Sequence, residues 1–427
     1  MGRDKSAYSV LNINKGVSEE EIKRAYVMLV KKFDPETHVE QFMLIKDAYE
    51  RLRDPKKRAH EDLYTFNTVE GEFMFNEDEK TNLSDVDIIN SLRQTEAQYK
   101  ESPGNESIKR DLIQLYMQRS YKKVRRKLWA EAVHDWQIIL NLDSTHHRAR
   151  QNLKFAYIYL GFSYATHGLY EEALELWEQA LQMNPDNVHV LQNIALAHEL
   201  SGNRDKAHIY WMEVVKRWRE NLDRSPDNEY LKTLIIEVHK HYGGMASADK
   251  KTKETAIEQY REILKINPDD FDAHYQIATA LMDEQKWDEA IRELNNLIRV
   301  NPANVDALNM LGWALLNAGQ VDAAFGIWKK SLQIDPQNNT TKDNLVRAHL
   351  TLGKRLRENG LFTPALVHFK ALHRYLPRSP EVHFEIATTY LMRGDMSSAY
   401  QEFNNVLKLD PRNKLAKKAI SEMKLKR

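Results

Sequence analysis

Apolar residues recur every three to four positions along most of this chain. Ile22, Ala25, Tyr26, Leu29 and Phe33 form one stripe, and Phe42, Ile45, Ala48, Tyr49 and Leu52 form a second. That spacing places each set on one face of an α-helix. Ser18 followed by Glu21 makes a capping box at the start of the first helix, and the short turn between the stripes makes the two helices antiparallel neighbours. A further helix is expected from Ser84 to Tyr99, packed against the next helix in the chain. The intervening text FNTVEGEFMFNEDEKTNLSD is acidic and irregular and reads as a linker.

Beyond the linker the pattern repeats. Pro185, Pro226, Pro268, Pro302, Pro336, Pro377 and Pro411 succeed one another at intervals of 41, 42, 34, 34, 41 and 34. The basic period is 34, and about two extra helical turns lengthen some units without rotating the buried face. Two residues after each proline stands Asn187, Asn228, Asp270, Asn304, Asn338, Ser379 or Asn413. Each side chain can accept a hydrogen bond from the free N–H groups that open the next helix, while the proline stops the previous one.

Within a unit, small residues sit where two helices must approach. In QNLKFAYIYLGFSYATHGLYEEALELWEQALQMNP, Gly161 faces Ala173, Tyr164, Trp177 and Ala180 complete the contact, and Gly168 makes the turn. The passage resembles the tetratricopeptide repeat. Gly312, Gly319, Ala324, Trp328 and Pro336 repeat it, as do Ala387, Tyr390, Gly394, Ala399, Phe403 and Pro411. A degenerate first unit keeps Ala132 and Trp136 but has Ser144 in place of the proline. The resemblance implies a right-handed superhelical solenoid of about eight helix pairs between residues 108 and 413. One unit departs from the rule: GGMASADKKTKE, after Tyr242, reads as a long solvated turn between helices. It lacks the second glycine of a phosphate loop and carries Asp249 instead.

The final stretch, residues 414–427, is a basic helix whose Leu415, Ala419 and Met423 would cap the end of the solenoid. The run Lys122 to Lys127 closes a first-unit helix, where cations complement the helix dipole.

The N-terminal stripes, with Leu11, Asp54 and Arg58, resemble the J-domain of DnaJ-type co-chaperones. The domain division expected is thus a J-like domain over 1–64, an acidic linker and connecting helix over 65–107, the solenoid over 108–413 and the cap over 414–427. The fold class is all-α. In the family, a Tyr-His-Pro-Asp segment between the two helices triggers ATP hydrolysis by a DnaK-type chaperone. Here it reads Phe33, Asp34, Pro35, Glu36. An imidazole that can donate has become a carboxylate that only accepts, so the resemblance implies a retained fold and a lost trigger. Lys23, Arg24, Lys31 and Lys32 remain where the family's docking face would be, and a solvated helix face would carry the same residues.

Resembling repeats line their concave face with fixed positions of each first helix. Here these include Met117, Tyr121, Phe155, Ile158, Phe162, Tyr275, Trp313 and Phe384. The lysines and asparagines that clamp a terminal carboxylate in one family subset are absent from these positions, so the stripe suits an apolar peptide or helix. Neighbouring helices could instead fill it.

Composition adds exclusions. The 427 residues carry 62 basic and 62 acidic side chains and no cysteine, so no disulfide and no thiolate zinc site exists and no net charge pulls the chain toward nucleic acid. The start lacks an apolar signal core and no apolar run spans a bilayer, so a cytoplasmic location is expected. No catalytic motif or cofactor loop stands in its required context, and adjacent His146 and His147 have no third ligand in view. The expectation is a non-enzymatic, cofactor-free adaptor or assembly scaffold with a protein or peptide partner. The alternatives are an active co-chaperone, and a nucleic-acid or membrane-surface binder through the C-terminal basic helix.

Overall fold

In the computed structural model the described residues are 6–13, 15, 17–33, 35–67, 72–80, 83–247 and 252–425, without the side chains of 56, 60 and 425. They form α-helices and no strand. Two compact units divide the chain, residues 1–242 and 243–427.

The N-terminal part of the first unit holds α1 (Ala7–Leu11), α2 (Glu19–Lys32), α3 (Val39–Arg53) and α4 (Pro55–Leu63). The capping box forms as the sequence requires: Ser18 accepts from Glu21 N–H, and the Glu21 carboxylate accepts from Ser18 N–H. Ile22, Ile45, Ala48 and Leu52 close a core with Tyr8 and Leu11, and Tyr26 stacks on Tyr49 with centroids 4.1 Å apart. Next comes α5 (Asp85–Glu101), capped by Ser84 and packed on the succeeding helix, where Tyr116 donates to Glu96.

Helix pairs make up the rest. In the first unit they are α6 (Glu106–Arg125) with α7 (Trp129–Leu142), α8 (His147–Thr166) with α9 (Tyr170–Met183), and α10 (Val188–Leu200) with α11 (Arg204–Arg224). Helix α12 (Glu229–Ser247) contains the division between units and is succeeded by α13 (Lys253–Ile266). The second unit continues with α14 (Phe271–Asp283), α15 (Trp287–Val300), α16 (Val305–Asn317), α17 (Val321–Ile334), α18 (Asn339–Glu358) and α19 (Phe362–Ala371). It ends with α20 (Pro380–Arg393), α21 (Met396–Leu409) and α22 (Lys414–Leu425). From α5 to α11 and from α13 to α22 each helix packs on the next in the manner of a solenoid.

The punctuation works as the sequence implies. Asn187, Asn228, Asp270, Asn304, Asn338, Ser379 and Asn413 each accept from the N–H three residues on. Where Ser144 replaces the proline, His146 takes the capping role, its Nδ1 accepting from Ala149 N–H at 3.1 Å. That position is partly buried, and burial holds the His146 pKa below its ordinary value, in keeping with a neutral acceptor. Helices α8 and α18 are 20 residues long where α10, α14 and α16 have 13, so the long units add seven residues to one helix and keep the same face inward.

The core repeats one contact. A Cβ on Gly161 would meet the Trp177 ring at 2.6 Å, one on Gly312 the Trp328 ring at 2.3 Å, and one on Gly353 the Phe369 ring at 2.6 Å. The ring lies against bare backbone, so the glycine's main neighbour is the aromatic residue sixteen positions on and not Ala173. Trp177 Nε1 donates to the Ile158 carbonyl and Trp328 Nε1 to that of Asn309. In the first pair Ser120 occupies the glycine's place, and its hydroxyl takes the equivalent Met117 carbonyl. Trp136 Nε1, though buried, accordingly finds no acceptor among the described residues. Truncating such a ring to alanine costs about 3–5 kcal/mol.

Two local expectations need correction. Gly243 to Ser247 are helical, and a Cβ on Gly243 would meet Tyr260 at 2.9 Å. Close packing, not a turn, accounts for that glycine; residues 248–251 of the expected turn lie outside the described residues. In α22 the buried stripe is Ala416, Ile420 and Met423, with Leu415 64% exposed. The helix starts at Lys414, one residue after its Asn413 cap, and that phase turns Leu415 outward.

Candidate functional site

The acidic segment after α4 is not a free linker. Its described residues, 62–67 and 72–80, meet the first helices of the repeats in reverse order, α12 and α10 and then α8 and α6. At its start the Asp62 carboxylate accepts from Tyr230, and its carbonyl accepts from Gln192 Nε2 at 2.6 Å. Tyr64 meets His241 at 3.3 Å. Then Asn193 on α10 grips Asn67 by both backbone groups: Oδ1 accepts from the N–H at 2.7 Å, and Nδ2 donates to the carbonyl at 2.8 Å. Asn152 on α8 does the same to Met74, at 2.6 and 3.0 Å. Each amide supplies what a neighbouring strand would supply.

Next to these gripped residues the segment packs aromatic rings. Phe66 lies 5.4 Å from Trp177 and 6.3 Å from Tyr170. Phe73 sits among Trp129, Trp136, Phe155 and Tyr159 at 5.6 to 5.9 Å, nearly parallel to both tryptophans. Phe75 meets Tyr121 edge-on at 5.2 Å and Trp136 at 6.5 Å. Phe73 and Phe75 are partly buried while Glu72, Met74 and Asn76 are exposed. That alternation is the signature of extended chain. Offset and edge-on ring pairs of this kind contribute about 0.5–1.5 kcal/mol each beyond their area.

The acidic end is matched in charge. Glu79, buried, pairs with Arg148 of α8 and accepts from Asn76 N–H at 2.7 Å. Asp78 accepts from Gln114 at its side chain, 3.2 Å, and from Gln118 at its carbonyl, 3.0 Å. Lys122 donates to the Leu83 carbonyl, and Lys122 and Arg126 pair with Asp85. The basic run at the end of α6 therefore has specific acidic partners, with Lys123 on the buried Asp135 at 2.9 Å.

The J-like helices are seated on the same unit. Arg58 stacks over the Tyr230 ring at 4.8 Å, and Tyr8 donates to Asp62 at 3.1 Å, so one carboxylate joins α1, α4 and α12. Burial, reinforced by that carboxylate, drives the Tyr230 and Tyr8 pKa values well above the ordinary phenol range, keeping both hydroxyls as donors. Lys15 donates to the Thr65 carbonyl at 2.6 Å, and burial pulls its pKa down to about 8 against the pull of Asp62.

The sequence-selected residues are not one open stripe. Tyr121 and Phe155 touch the segment through Phe75 and Phe73. Met117 and Ile158 are fully buried and Phe162 packs partly buried on the same core, so Met117 and Ile158 offer no open surface. In the second unit Tyr275 stacks near Phe271 at 6.3 Å, and Phe384 meets Phe403 edge-on at 5.6 Å. Trp313 donates to Asn344 at 2.8 Å and lies under Arg347. These three are partly buried. Lys23, Arg24, Lys31 and Lys32 are exposed along α2, with Arg24 paired to Glu20. Pro35 and Glu36 are exposed in the turn before α3, and Asp34 lies outside the described residues.

Arg148, Asn152, Phe155 and Tyr159 are the stripe that holds the segment; of these the sequence reading selects only Phe155. Their spacing of four, three and four marks a helix face, but its mixed polarity hides it from a search for apolar residues. Among the described residues no group of three or more His, Asp or Glu side chains could hold a metal ion, and no helix is long and apolar enough to cross a membrane.

Comparison with known proteins agrees with this architecture. Residues 6–62 match the DnaJ domain, and residues 155–187 and 275–339 match the tetratricopeptide repeat. A chaperone protein DnaJ of Bacillus licheniformis is 44% identical over 62 residues, covering 13% of this chain and 16% of that protein. The DnaJ of Geobacillus stearothermophilus gives the same figures. The chain thus spans about 16% of the length of these curated relatives, in their J domain alone. Among solved structures, the MamA protein is 17% identical with a TM-score of 0.32, covering 42% of this chain and 93% of that one. YrrB, described as a TPR protein with an unusual peptide-binding site, is 17% identical with a TM-score of 0.30, covering 47% and 96%. At such scores neither structure bears on function. The chain carries an N-terminal DnaJ domain and tetratricopeptide repeats, and its sequence reads Asp34-Pro35-Glu36 between α2 and α3.

Proposed function

We propose that this protein is a non-enzymatic adaptor or assembly scaffold that holds partner polypeptides in its repeats, with a J domain that does not stimulate a DnaK-type ATPase. The observation that carries this reading is the grip of Asn152 and Asn193 on the backbone of residues 74 and 67. Side chains that satisfy both backbone groups of a residue hold polypeptide as such, and the flanking rings add preference for particular residues. Within the second unit, Tyr275, Trp313 and Phe384 are the anchors we assign to a further apolar partner segment. A cytoplasmic location is part of the proposal.

The loss of stimulation rests on chemistry. Asp34 cannot donate the hydrogen bonds of an imidazole, and Glu36 sets its charge one methylene further out. A second reading, an active co-chaperone, is favoured by the exposed Lys23, Arg24, Lys31 and Lys32 and by the 44% identity across the J domain. Steady-state ATP hydrolysis by the cognate DnaK-type chaperone, with the full chain added, separates the two. No stimulation is expected. Several-fold stimulation that disappears when Asp34, Pro35 and Glu36 are changed would overturn the adaptor reading in favour of the co-chaperone.

A further inference from the structure

The groove over α6 and α8 is occupied, and its occupant describes what else would fit. Three features of residues 72–80 engage the helices. Phe73 and Phe75 enter a cage of Tyr121, Trp129, Trp136, Phe155 and Tyr159. The backbone N–H and carbonyl of Met74, between them, are gripped by Asn152. Three and four residues after Phe75, Asp78 meets Gln114 and Gln118, and Glu79 meets Arg148. Among the described residues no backbone-to-backbone hydrogen bond joins this segment to the helices it crosses. Every polar contact is made by a side chain of the groove or of the segment, and another polypeptide with the same groups could make each of them.

We propose that this groove recognises an extended, acidic segment of a partner protein with the pattern aromatic, any residue, aromatic, then carboxylates three and four positions on, and that residues 72–80 are the resident competitor for it. This rests on the adaptor reading and gives its partner a chemistry. The resident is tethered at both ends, which sets its effective concentration in the millimolar range for a short flexible tether. An external segment of equal intrinsic affinity binds only weakly until the resident is weakened or outcompeted. The groove is thus closed to chains that merely expose apolar surface and opens to those that reproduce the pattern.

The test uses the full chain and a fluorescein-labelled peptide of residues 66–80, FNTVEGEFMFNEDEK. The Phe73→Ala, Phe75→Ala double variant is expected to bind it at least ~10-fold more tightly than wild type, because the internal competitor is disabled. Adding Asn152→Ala to that variant should weaken binding by about 10-fold, and a peptide with the residues corresponding to Phe73 and Phe75 changed to alanine should bind neither protein. Equal binding to wild type and the double variant would overturn the proposal, as would equal binding of the altered peptide. If circular dichroism shows the double variant unfolded, Glu79→Gln, which removes only the ion pair with Arg148, should move affinity in the same direction. In wild type, saturating peptide should speed amide exchange across residues 72–80; peptide that binds without changing that exchange refutes displacement. A wild-type dimer dissolved by the double variant would assign the groove to a second copy of the chain and overturn the partner proposal. A partner from the source cell that binds wild type and Asn152→Ala alike would sink this inference and leave the adaptor reading standing. ATPase stimulation would do the reverse.

Discussion

Asn152 holds Met74 by both ends of its amide, accepting at 2.6 Å and donating at 3.0 Å across 78 positions of sequence. Asn193 repeats the arrangement on Asn67, but the surroundings differ. Asn152, Asn193 and Asn67 are all buried, whereas Met74 is 43% exposed. Water can replace the lost partner at Met74 and cannot at Asn67. Asn193→Ala is therefore expected to cost about 2–3 kcal/mol and Asn152→Ala about 1 kcal/mol. Amide exchange at the two residues checks this; equal deprotection in both variants would contradict it.

Two glycines in adjacent helices should respond to alanine with opposite sign. At Gly312 the new methyl would lie 2.3 Å from the buried Trp328 ring, so Gly312→Ala should destabilise the second unit by more than about 2 kcal/mol. At Gly326, inside α17, nothing lies within 4 Å, and Gly326→Ala should stabilise by about 0.5–1 kcal/mol through helix propensity. Thermal melts of the two variants would read the contrast directly.

Acid should weaken the second unit through His349. Its ring stacks on Phe325 at 4.3 Å, its Nδ1 lies 3.1 Å from that of His368, and Tyr375 is beside it. Arg374 acts on His349, and Asp322 on His368. Burial, helped by His368 and Arg374, pulls the His349 pKa from 6.5 to about 4. Between those values the unfolded chain binds the extra proton and the folded one does not. Stability conferred by neutral His349 is therefore intact above pH 6.5 and is lost progressively as pH falls toward 4. Melting temperature measured over that range should decline, and less steeply for His349→Gln.

Restoring the trigger is the fourth test. With the cations of α2 still exposed, Asp34→His combined with Glu36→Asp should raise the ATPase rate of the cognate DnaK-type chaperone several-fold over the unchanged protein. A second substitution, Lys31→Glu, should abolish that gain. A restored loop that stimulates nothing would mean that the docking face is gone as well as the trigger.

What could be read from the sequence was whatever is local. Asn187 and its six counterparts cap helices three residues away, and Gly161, Gly312 and Gly353 each meet a ring sixteen positions on. Such contacts repeat with the chain's own period. The groove occupant was invisible to that reasoning because Asn193 reaches back 126 residues to Asn67, and no periodicity links the two. An acidic stretch with little apolar content reads as solvated, yet Phe73 and Phe75 already alternated as an extended chain does. Met117 and Ile158 are apolar, which suits the core better than a groove; Asn152 and Arg148 are polar, which is what grips a backbone and a carboxylate.

Asp62 is the last anchor of the J domain and the first residue of the segment that fills the groove. Seating and occupancy thus share one hinge. If the segment leaves, some 20 residues of chain are freed between α4 and α5, enough for a leash with an average reach of about 25 Å. Strain on Asp62 would pass directly to Tyr8, Arg58 and Tyr230.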